Sequence, residues 1–279
     1  MTSARQFHIP VLSLTKIKPT IYIIRVRSRA LARRCRPGQF LHIKVDTQIT
    51  LLRRPLSIHA IEHDTLSLLF RVRGRGTELL SRYKKGDMLD IIGPLGNGFN
   101  TSPRSSAQAS PKETVHGPQR NILVAGGIGV APLVFLAQKL AAAEQKKSKG
   151  KGLVLLGAKN KHEVLGEHEF KKVGFEVLVA TDDGSRGFRG TVTDLLEKQL
   201  SAHELMSSSA HIYACGPQEM FKRIRDIIAP YPSVRCQVSF EQFMGCGLGI
   251  CCGCVIQASG GYKKVCKDGP VFNIKEIYA

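Results

Sequence analysis

Between Gly245 and Cys266 the chain carries five of its eight cysteines. Cys246, Cys251, Cys254 and Cys266 follow the spacing C-x4-C-x2-C-x11-C. The stretch is rich in glycine and has too little apolar mass to build a core of its own. Its shape must be imposed by whatever the thiols hold. Three thiolates at x4 and x2 in one loop match the plant-type loop that holds a [2Fe–2S] cluster, although ferredoxins place their fourth ligand much further on. Wrapping the chain round such a cluster turns amide N–H groups toward sulfur, and Gly247, Gly249 and Gly253 are expected to supply the backbone angles. Structural zinc draws instead on two short Cys pairs with a longer spacer. A disulfide framework suits an exported chain, and Met1 to Pro10 lacks the apolar core of a secretory signal. Cys252 lies between two ligands and is expected to point away from the cluster. Cys35, Cys215 and Cys236 are read as bystanders to it.

The remainder has room for two ordinary domains in a chain of 279 residues. Ile21–Arg27 and Phe40–Val45 alternate apolar and polar residues, and Thr65–Val72 and Met88–Ile92 are further β-rich runs. Short strands punctuated by Pro37-Gly38 and Gly93-Pro94 predict an antiparallel barrel or sandwich over residues 1–100. A short helix is expected to start with Thr77 as its N-cap. Residues 101–119, poor in apolar side chains, read as a flexible inserted loop. From residue 120 to 235, strand runs at Ile122–Ala125, Leu153–Gly157, Phe175–Ala180 and His211–Ala214 alternate with helical segments at 131–143, 192–200 and 218–229. That alternation predicts a parallel sheet covered by helices. Residues 236–279 form the small cysteine-bearing domain.

The net charge is +19, which suits an acidic partner, anionic cofactors or nucleic acid. The basic residues are spread along the chain in runs of no more than two, and there is no tryptophan. A solvated basic surface is the reading preferred here, with no nucleic-acid partner. No stretch approaches the roughly 20 apolar residues of a membrane span, so a cytoplasmic protein without membrane attachment is expected.

Two further motifs carry chemistry. Val124-Ala-Gly126-Gly127-Ile-Gly129-Val-Ala-Pro132 follows a predicted strand and opens a helix, where glycines admit a nucleotide to the backbone. Tight packing also selects glycine, and the spacing is not the G-x-G-x-x-G of ordinary dehydrogenases. Arg53-Arg54-Pro55-Leu56-Ser57-Ile58, with Gly74-Arg75-Gly76-Thr77 beyond it, sets arginine beside hydroxyl groups in a way that suits a pyrophosphate. An edge-strand arginine in water is the plainer alternative.

Taken together, these segments resemble the electron-transfer subunits of heteromeric, NAD-linked (class 1B) dihydroorotate dehydrogenases, within the ferredoxin reductase superfamily. The matching stretches are Pro37-Gly-Gln-Phe40, Leu51-Leu-Arg-Arg-Pro-Leu-Ser-Ile58, Gly93-Pro-Leu-Gly-Asn-Gly-Phe99 and Ala125 to Pro132. They continue in Thr181-Asp-Asp-Gly-Ser185, Cys215-Gly-Pro-Gln-Glu-Met220, Glu241-Gln-Phe-Met-Gly-Cys-Gly and Val265-Cys-Lys-Asp-Gly-Pro-Val-Phe272. The resemblance implies an antiparallel FAD-binding β-barrel, a parallel-sheet nucleotide-binding domain and a small C-terminal [2Fe–2S] domain. It implies that Arg54, Pro55, Leu56, Ser57, Arg71, Val72, Arg73, Gly76 and Thr77 meet FAD. Gly126, Gly127, Gly129, Cys215, Gly216 and Pro217 are expected at the nucleotide, and Cys246, Cys251, Cys254 and Cys266 at the cluster. A partner subunit with FMN oxidises dihydroorotate, and the two are expected to form a heterotetramer in pyrimidine (UMP) biosynthesis. Electrons pass through the cluster and FAD to NAD+, so NAD(H) is the co-substrate. Hydride transfer needs no separate general base, and no catalytic residue is nominated.

Three departures stand out. The 101–119 segment looks inserted relative to the family. The spacing between the third and fourth cysteines is shorter than usual. Arg186, with Lys159 and Lys161, brings positive charge to where a 2′-phosphate would bind, leaving NADP(H) open beside NAD(H). Two other readings remain: a related flavin and iron–sulfur subunit of a hydrogenase, sulfite reductase or transhydrogenase, and a nucleic-acid-binding protein with a redox-sensing cluster.

Overall fold

The computed structural model describes residues 4–45, 50–101, 120–144, 152–201 and 210–278. The inserted loop expected at 101–119 lies, but for its first residue, outside them. The chain divides into two compact units. One comprises the residues up to Gly98 with Ala131–Leu136 and Ser239–Phe272, and the other Phe99–Val130, Ala137–Val238 and the residues from Asn273 on.

In the first unit six antiparallel strands close a barrel. They are β1 (Arg5–Lys18), β2 (Ile21–Arg27), β3 (Phe40–Lys44), β4 (Arg54–Glu62), β5 (Thr65–Arg71) and β6 (Met88–Leu95), in the order β1-β2-β5-β4-β3-β6. Successive side chains on a strand face opposite ways, so Ile24 and Val26, Leu41 and Ile43, Leu66 and Leu68, Leu89 and Ile91 all point inward and are buried. Each such side chain contributes about 1.5–3 kcal/mol on leaving water. Two short helices, α1 (Arg29–Ala32) and α2 (Arg75–Leu80), add Leu31 and Leu80 to this core. The α2 helix begins two residues before the expected Thr77. Its N-cap is Gly74, and Thr77 sits in the first turn, where its hydroxyl accepts from the N–H groups of Arg73 (2.9 Å) and Gly74 (3.3 Å).

The second unit is built on β7 (Arg120–Gly126), β8 (Leu153–Ala158), β9 (Glu176–Thr181), β10 (Phe188–Arg189), β11 (Ala210–Cys215) and β12 (Arg235–Ser239). Their order is β10-β9-β8-β7-β11-β12, and β7 runs parallel to both β8 and β11. The sheet's apolar runs, such as Ile122–Ala125, are fully buried, as expected where helices cover a parallel sheet. The helices are α3 (Val130–Glu144), α4 (Glu167–Lys172), α5 (Val192–Ser201) and α6 (Gln218–Ile228).

The cysteine-bearing segment belongs to the barrel unit. After the loop Gly245–Cys254 comes a hairpin of β13 (Val255–Ala258) and β14 (Gly261–Lys264), then α7 (Val265–Asp268). Two four-residue strands, the turn Ser259-Gly260 and Val265 account for the eleven residues between Cys254 and Cys266. The short spacing is that of a tight hairpin. Beyond it lie β15 (Val271–Asn273) and α8 (Ile274–Ile277). The end of β6 is stitched to this segment through Asn97. Its main-chain N–H donates to the carbonyl of Gly269 (2.6 Å), and its side-chain amide to those of Asp268 (3.0 Å) and Lys267 (3.3 Å). Among the described residues no helix is long and apolar enough to cross a membrane.

Candidate functional site

The cysteine loop curls so that its amides face sulfur. Cys246 Sγ accepts from the N–H groups of Leu248 (3.3 Å), Ile250 (3.4 Å) and Cys251 (3.5 Å). Cys266 Sγ accepts from Gly249 (3.1 Å), and Cys254 Sγ from the N–H of Cys266 (3.4 Å). Desolvation alone would raise the Cys246 thiol, but the amides of Cys251, Leu248 and Ile250 outweigh it and hold the pKa down to about 6. Cys266 goes the other way: burial, and then the neighbouring Cys254, push it up to about 12. The side chains of Cys246 and Cys251 lie within hydrogen-bond reach, as do those of Cys254 and Cys266. The sulfurs thus form two pairs joined by loop amides. Among the described residues no three Cys, His, Asp or Glu side chains gather tightly enough to hold a single metal ion. Paired thiolates with N–H groups turned toward them suit a binuclear cluster, so the residues present fit the group.

Gly247 (φ 69°) and Gly249 (φ 80°) take the left-handed backbone expected of them. Gly253 does not. The left-handed residue at that bend is Cys252 (φ 56°), whose exposed thiol donates to the carbonyl of Ile250 at 3.8 Å. Cys35 and Cys236 are buried, and desolvation pushes the Cys35 thiol to about 12 and that of Cys236 higher.

The same unit carries the expected flavin residues. The two arginines that open the motif part company. Arg53 is bound to Asp90, side chain to side chain at 2.8 Å and to its carbonyl at 3.0 Å. Arg54 reaches only the main-chain carbonyls of Leu52 and Arg53 among the described residues, so its charge has no carboxylate opposite it. Its guanidinium lies over Gly76, where an added Cβ would come within 2.2 Å of Arg54 Nε. Any side chain there would push the guanidinium aside. Ser57 and Pro55 on β4 pair with Phe40 and His42 on β3, and Leu56 is buried. Arg71 ends β5, and its Nε is buried without a hydrogen-bond partner among the described residues. Val72 donates its N–H to Thr20, and Arg73 follows. An unopposed guanidinium, an orphaned arginine nitrogen and a glycine cradle fit an anionic cofactor. Glu241 lies within electrostatic reach of Arg73 and Arg71.

In the second unit, β7 ends at Gly126 and a single tight turn, Gly127–Gly129, leads into α3. The neighbouring parallel strand β11 ends beside it, with Ala125 opposite Cys215, and Gly216 and Pro217 lead into α6. A Cβ at Gly129 would meet the Cys215 carbonyl at 2.0 Å, and one at Gly126 would meet Pro217 at 2.9 Å. Those two glycines serve packing. Gly127 differs: its φ is 55° and nothing lies within 4 Å of where a Cβ would sit. The six expected residues therefore converge at the carboxyl ends of adjacent parallel strands, where open α/β sheets bind nucleotides. At the end of β9, Arg186 is not a free cation. It binds Glu167 at 2.7 Å, as does Lys171.

Sequence reasoning passed over Asn97 and His42. Asn97 sits between glycines in the Gly93–Phe99 motif, which was the available signal. His42, a lone histidine in an apolar strand, offered none.

A closed antiparallel barrel joined to a parallel-sheet nucleotide domain is the architecture of ferredoxin-reductase-type flavoproteins, here with an iron–sulfur loop in addition. Known proteins agree with that class. Residues 241–278 match the iron–sulfur cluster binding domain of dihydroorotate dehydrogenase B, and residues 123–226 the oxidoreductase NAD-binding domain. The electron transfer subunit of dihydroorotate dehydrogenase B (NAD(+)) from Desulforamulus reducens is 39% identical over 96% of this chain and 97% of its own. The Enterococcus faecalis subunit of the same name is 37% identical over 98% of each. Among solved structures, the NADH-dependent reduced ferredoxin-NADP oxidoreductase superposes with a TM-score of 0.78 at 28% identity, covering 96% of this chain and 89% of that one. A ferredoxin NADP+ reductase from Neisseria gonorrhoeae with bound FAD and NADP shares the fold, at a TM-score of 0.64 and 17% identity over 85% of this chain and all of its own. The chain belongs to the family of electron transfer subunits of NAD+-dependent dihydroorotate dehydrogenase B. It is an oxidoreductase subunit with an iron–sulfur cluster binding domain and an NAD-binding domain.

Proposed function

We propose that this chain accepts electrons from an FMN-containing dihydroorotate dehydrogenase catalytic subunit and delivers them to NAD+. The two subunits form a cytoplasmic heterotetramer in pyrimidine biosynthesis. Cys246, Cys251, Cys254 and Cys266 hold a [2Fe–2S] cluster. Arg54, Pro55, Leu56 and Ser57, with Arg71, Val72, Arg73, Gly76 and Thr77, hold FAD. Gly126, Gly127, Gly129, Cys215, Gly216 and Pro217 receive the nicotinamide nucleotide. The corresponding domains are residues 1–100 for FAD, 120–235 for NAD and 236–279 for the cluster, with 101–119 as an inserted loop. The cluster supplies one-electron transfer and FAD joins it to two-electron hydride chemistry. The residues themselves bind, orient and tune. Arg54 offers an unopposed charge to phosphate, the loop amides stabilise thiolate, and Gly127 leaves its backbone open to a nucleotide.

The observation that carries this reading is the loop whose amides turn toward Cys246 and Cys266, gathering two pairs of sulfurs in a unit that also carries the expected flavin residues. Its test is reconstitution. The isolated chain oxidises NADH with an artificial acceptor but does not reduce NAD+ with dihydroorotate until the FMN subunit is added. Cys252→Ser keeps iron and sulfide at about two each per chain, whereas Ser at any of the four ligands loses them. Turnover of dihydroorotate by the isolated chain, or cluster loss in Cys252→Ser, refutes the assignment.

A further inference from the structure

We propose that His42 is a positioning residue for the iron–sulfur centre, holding the Cys246-Gly247 turn against the strand that opens the flavin motif. The inference rests on the reading of Cys246 as a cluster ligand. On β3, Leu41 and Ile43 turn into the barrel core, so Phe40 and His42 turn outward by strand alternation. His42 is nonetheless completely buried, and neither ring nitrogen has a hydrogen-bond partner of normal geometry. What covers it is the cluster loop. A Cβ at Gly247 would lie 2.5 Å from His42 Nδ1 and 3.0 Å from Cε1. Glycine at 247 therefore meets two demands, a left-handed backbone (φ 69°) and direct approach to an imidazole.

A wholly apolar side chain would fill this position without burying two polar atoms, so packing does not account for a histidine. The groups in reach do. The main chains of Cys246 and of Arg53 both lie within reach of the ring. Arg53 in turn donates to the His42 carbonyl at 3.4 Å and is anchored by Asp90. An imidazole in its neutral form has one N–H to give and one nitrogen to accept. It spans two segments that have no covalent reason to stay in register: the residue before Arg54 and the first cluster ligand. A small movement of the loop brings the N–H onto the Cys246 main chain. The orientation of Cys246, and with it the pattern of amides on its sulfur, depends on that contact. Hydrogen bonding round the sulfurs is one of the levers that set a cluster's potential.

The experiment uses the full chain with its cofactors. Iron, sulfide and FAD are measured first in the wild-type protein, since absence of a cluster there refutes the ligand reading and not the role of His42. His42→Phe, His42→Gln and Gly247→Ala are then compared by EPR of the reduced cluster and by redox titration. His42→Phe is expected to keep full iron and sulfide, to change the EPR g-values and to shift the midpoint potential downward. His42→Gln, which restores an N–H, returns both toward wild type. Gly247→Ala, which forces the loop off the ring, shifts them in the same direction as His42→Phe and decides the matter if that variant does not fold. Signatures identical to wild type in fully loaded His42→Phe and Gly247→Ala overturn the proposal. So does cluster loss from a folded, FAD-bearing His42→Phe, which would make the residue one of cluster retention.

Discussion

Two adjacent arginines with different partners make a sharp test of the flavin site. Arg54→Ala removes a guanidinium that is bonded only to main-chain carbonyls among the described residues and so is available to a phosphate. A charge-assisted hydrogen bond of that kind is worth about 1.5–3 kcal/mol, which corresponds to an FAD dissociation constant raised roughly 10- to 150-fold. Arg53→Ala instead leaves Asp90 with the Gln6 amide at 2.9 Å; desolvation would raise that carboxyl's pKa, but the hydrogen bonds from Arg53 and Gln6 and the Arg53 charge together hold it below its usual value. The cost there falls on folding, about 1–3 kcal/mol for a partly buried carboxylate that loses its charged partner. FAD affinity is read by titrating apoprotein and following flavin fluorescence, and stability by urea unfolding of the same samples. The expected pattern is a double dissociation: Arg54→Ala loses FAD on gel filtration at near-normal apoprotein stability, and Arg53→Ala is destabilised while binding FAD far better than Arg54→Ala. If Arg54→Ala keeps full FAD affinity, or if the two variants lose it equally, the division of labour drawn from these contacts is wrong.

Further outcomes follow from the second unit. Glu167→Gln frees Arg186 and Lys171; an exposed pair is worth about 0.2–1 kcal/mol, so the kcat/KM ratio of NADPH to NADH should rise about two- to fivefold, and an unchanged ratio would separate Arg186 from the nucleotide site. His211 is buried, and desolvation followed by the Arg235 charge lower its pKa from 6.5 to about 4. The unfolded chain then takes up the proton first as pH falls, so the stability this residue contributes is whole above about pH 6.5 and declines toward pH 4 by roughly 1.4 kcal/mol per unit. Urea unfolding of wild type and His211→Phe at pH 7, 6 and 5 should show their difference changing at about that rate, and parallel profiles would count against a buried neutral imidazole.

Much of this site was legible in residue spacing, and the reasons for the remainder are physical. The cysteine ligands and the Gly126–Gly129 turn are local patterns, so they could be read from a few adjacent residues. Strands with clean alternation, such as Ile21–Arg27, coincide with β2 to the residue. The first strand, Arg5–Lys18, escaped notice because Pro10 interrupts it and much of its length remains exposed. Thr77 was taken for a cap because its hydroxyl does cap, but from within the first turn. Gly253 was credited with a left-handed backbone that Cys252 adopts. Which of Arg53 and Arg54 faces the cofactor depends on Asp90, far away in sequence, and no local pattern reports that. His42 is hidden for the same reason: its interest lies in Gly247, some two hundred positions later.

The stitch at Asn97 bears on the fourth expected ligand. Cys246, Cys251 and Cys254 come from one loop and can gather early, but Cys266 stands beside a segment clasped by an asparagine 170 residues earlier in the chain. Bringing such distant residues together carries an entropic cost that local contacts do not. The segment that carries Cys266 is therefore expected to share its order with β6, so that loosening the barrel loosens the fourth expected ligand as well.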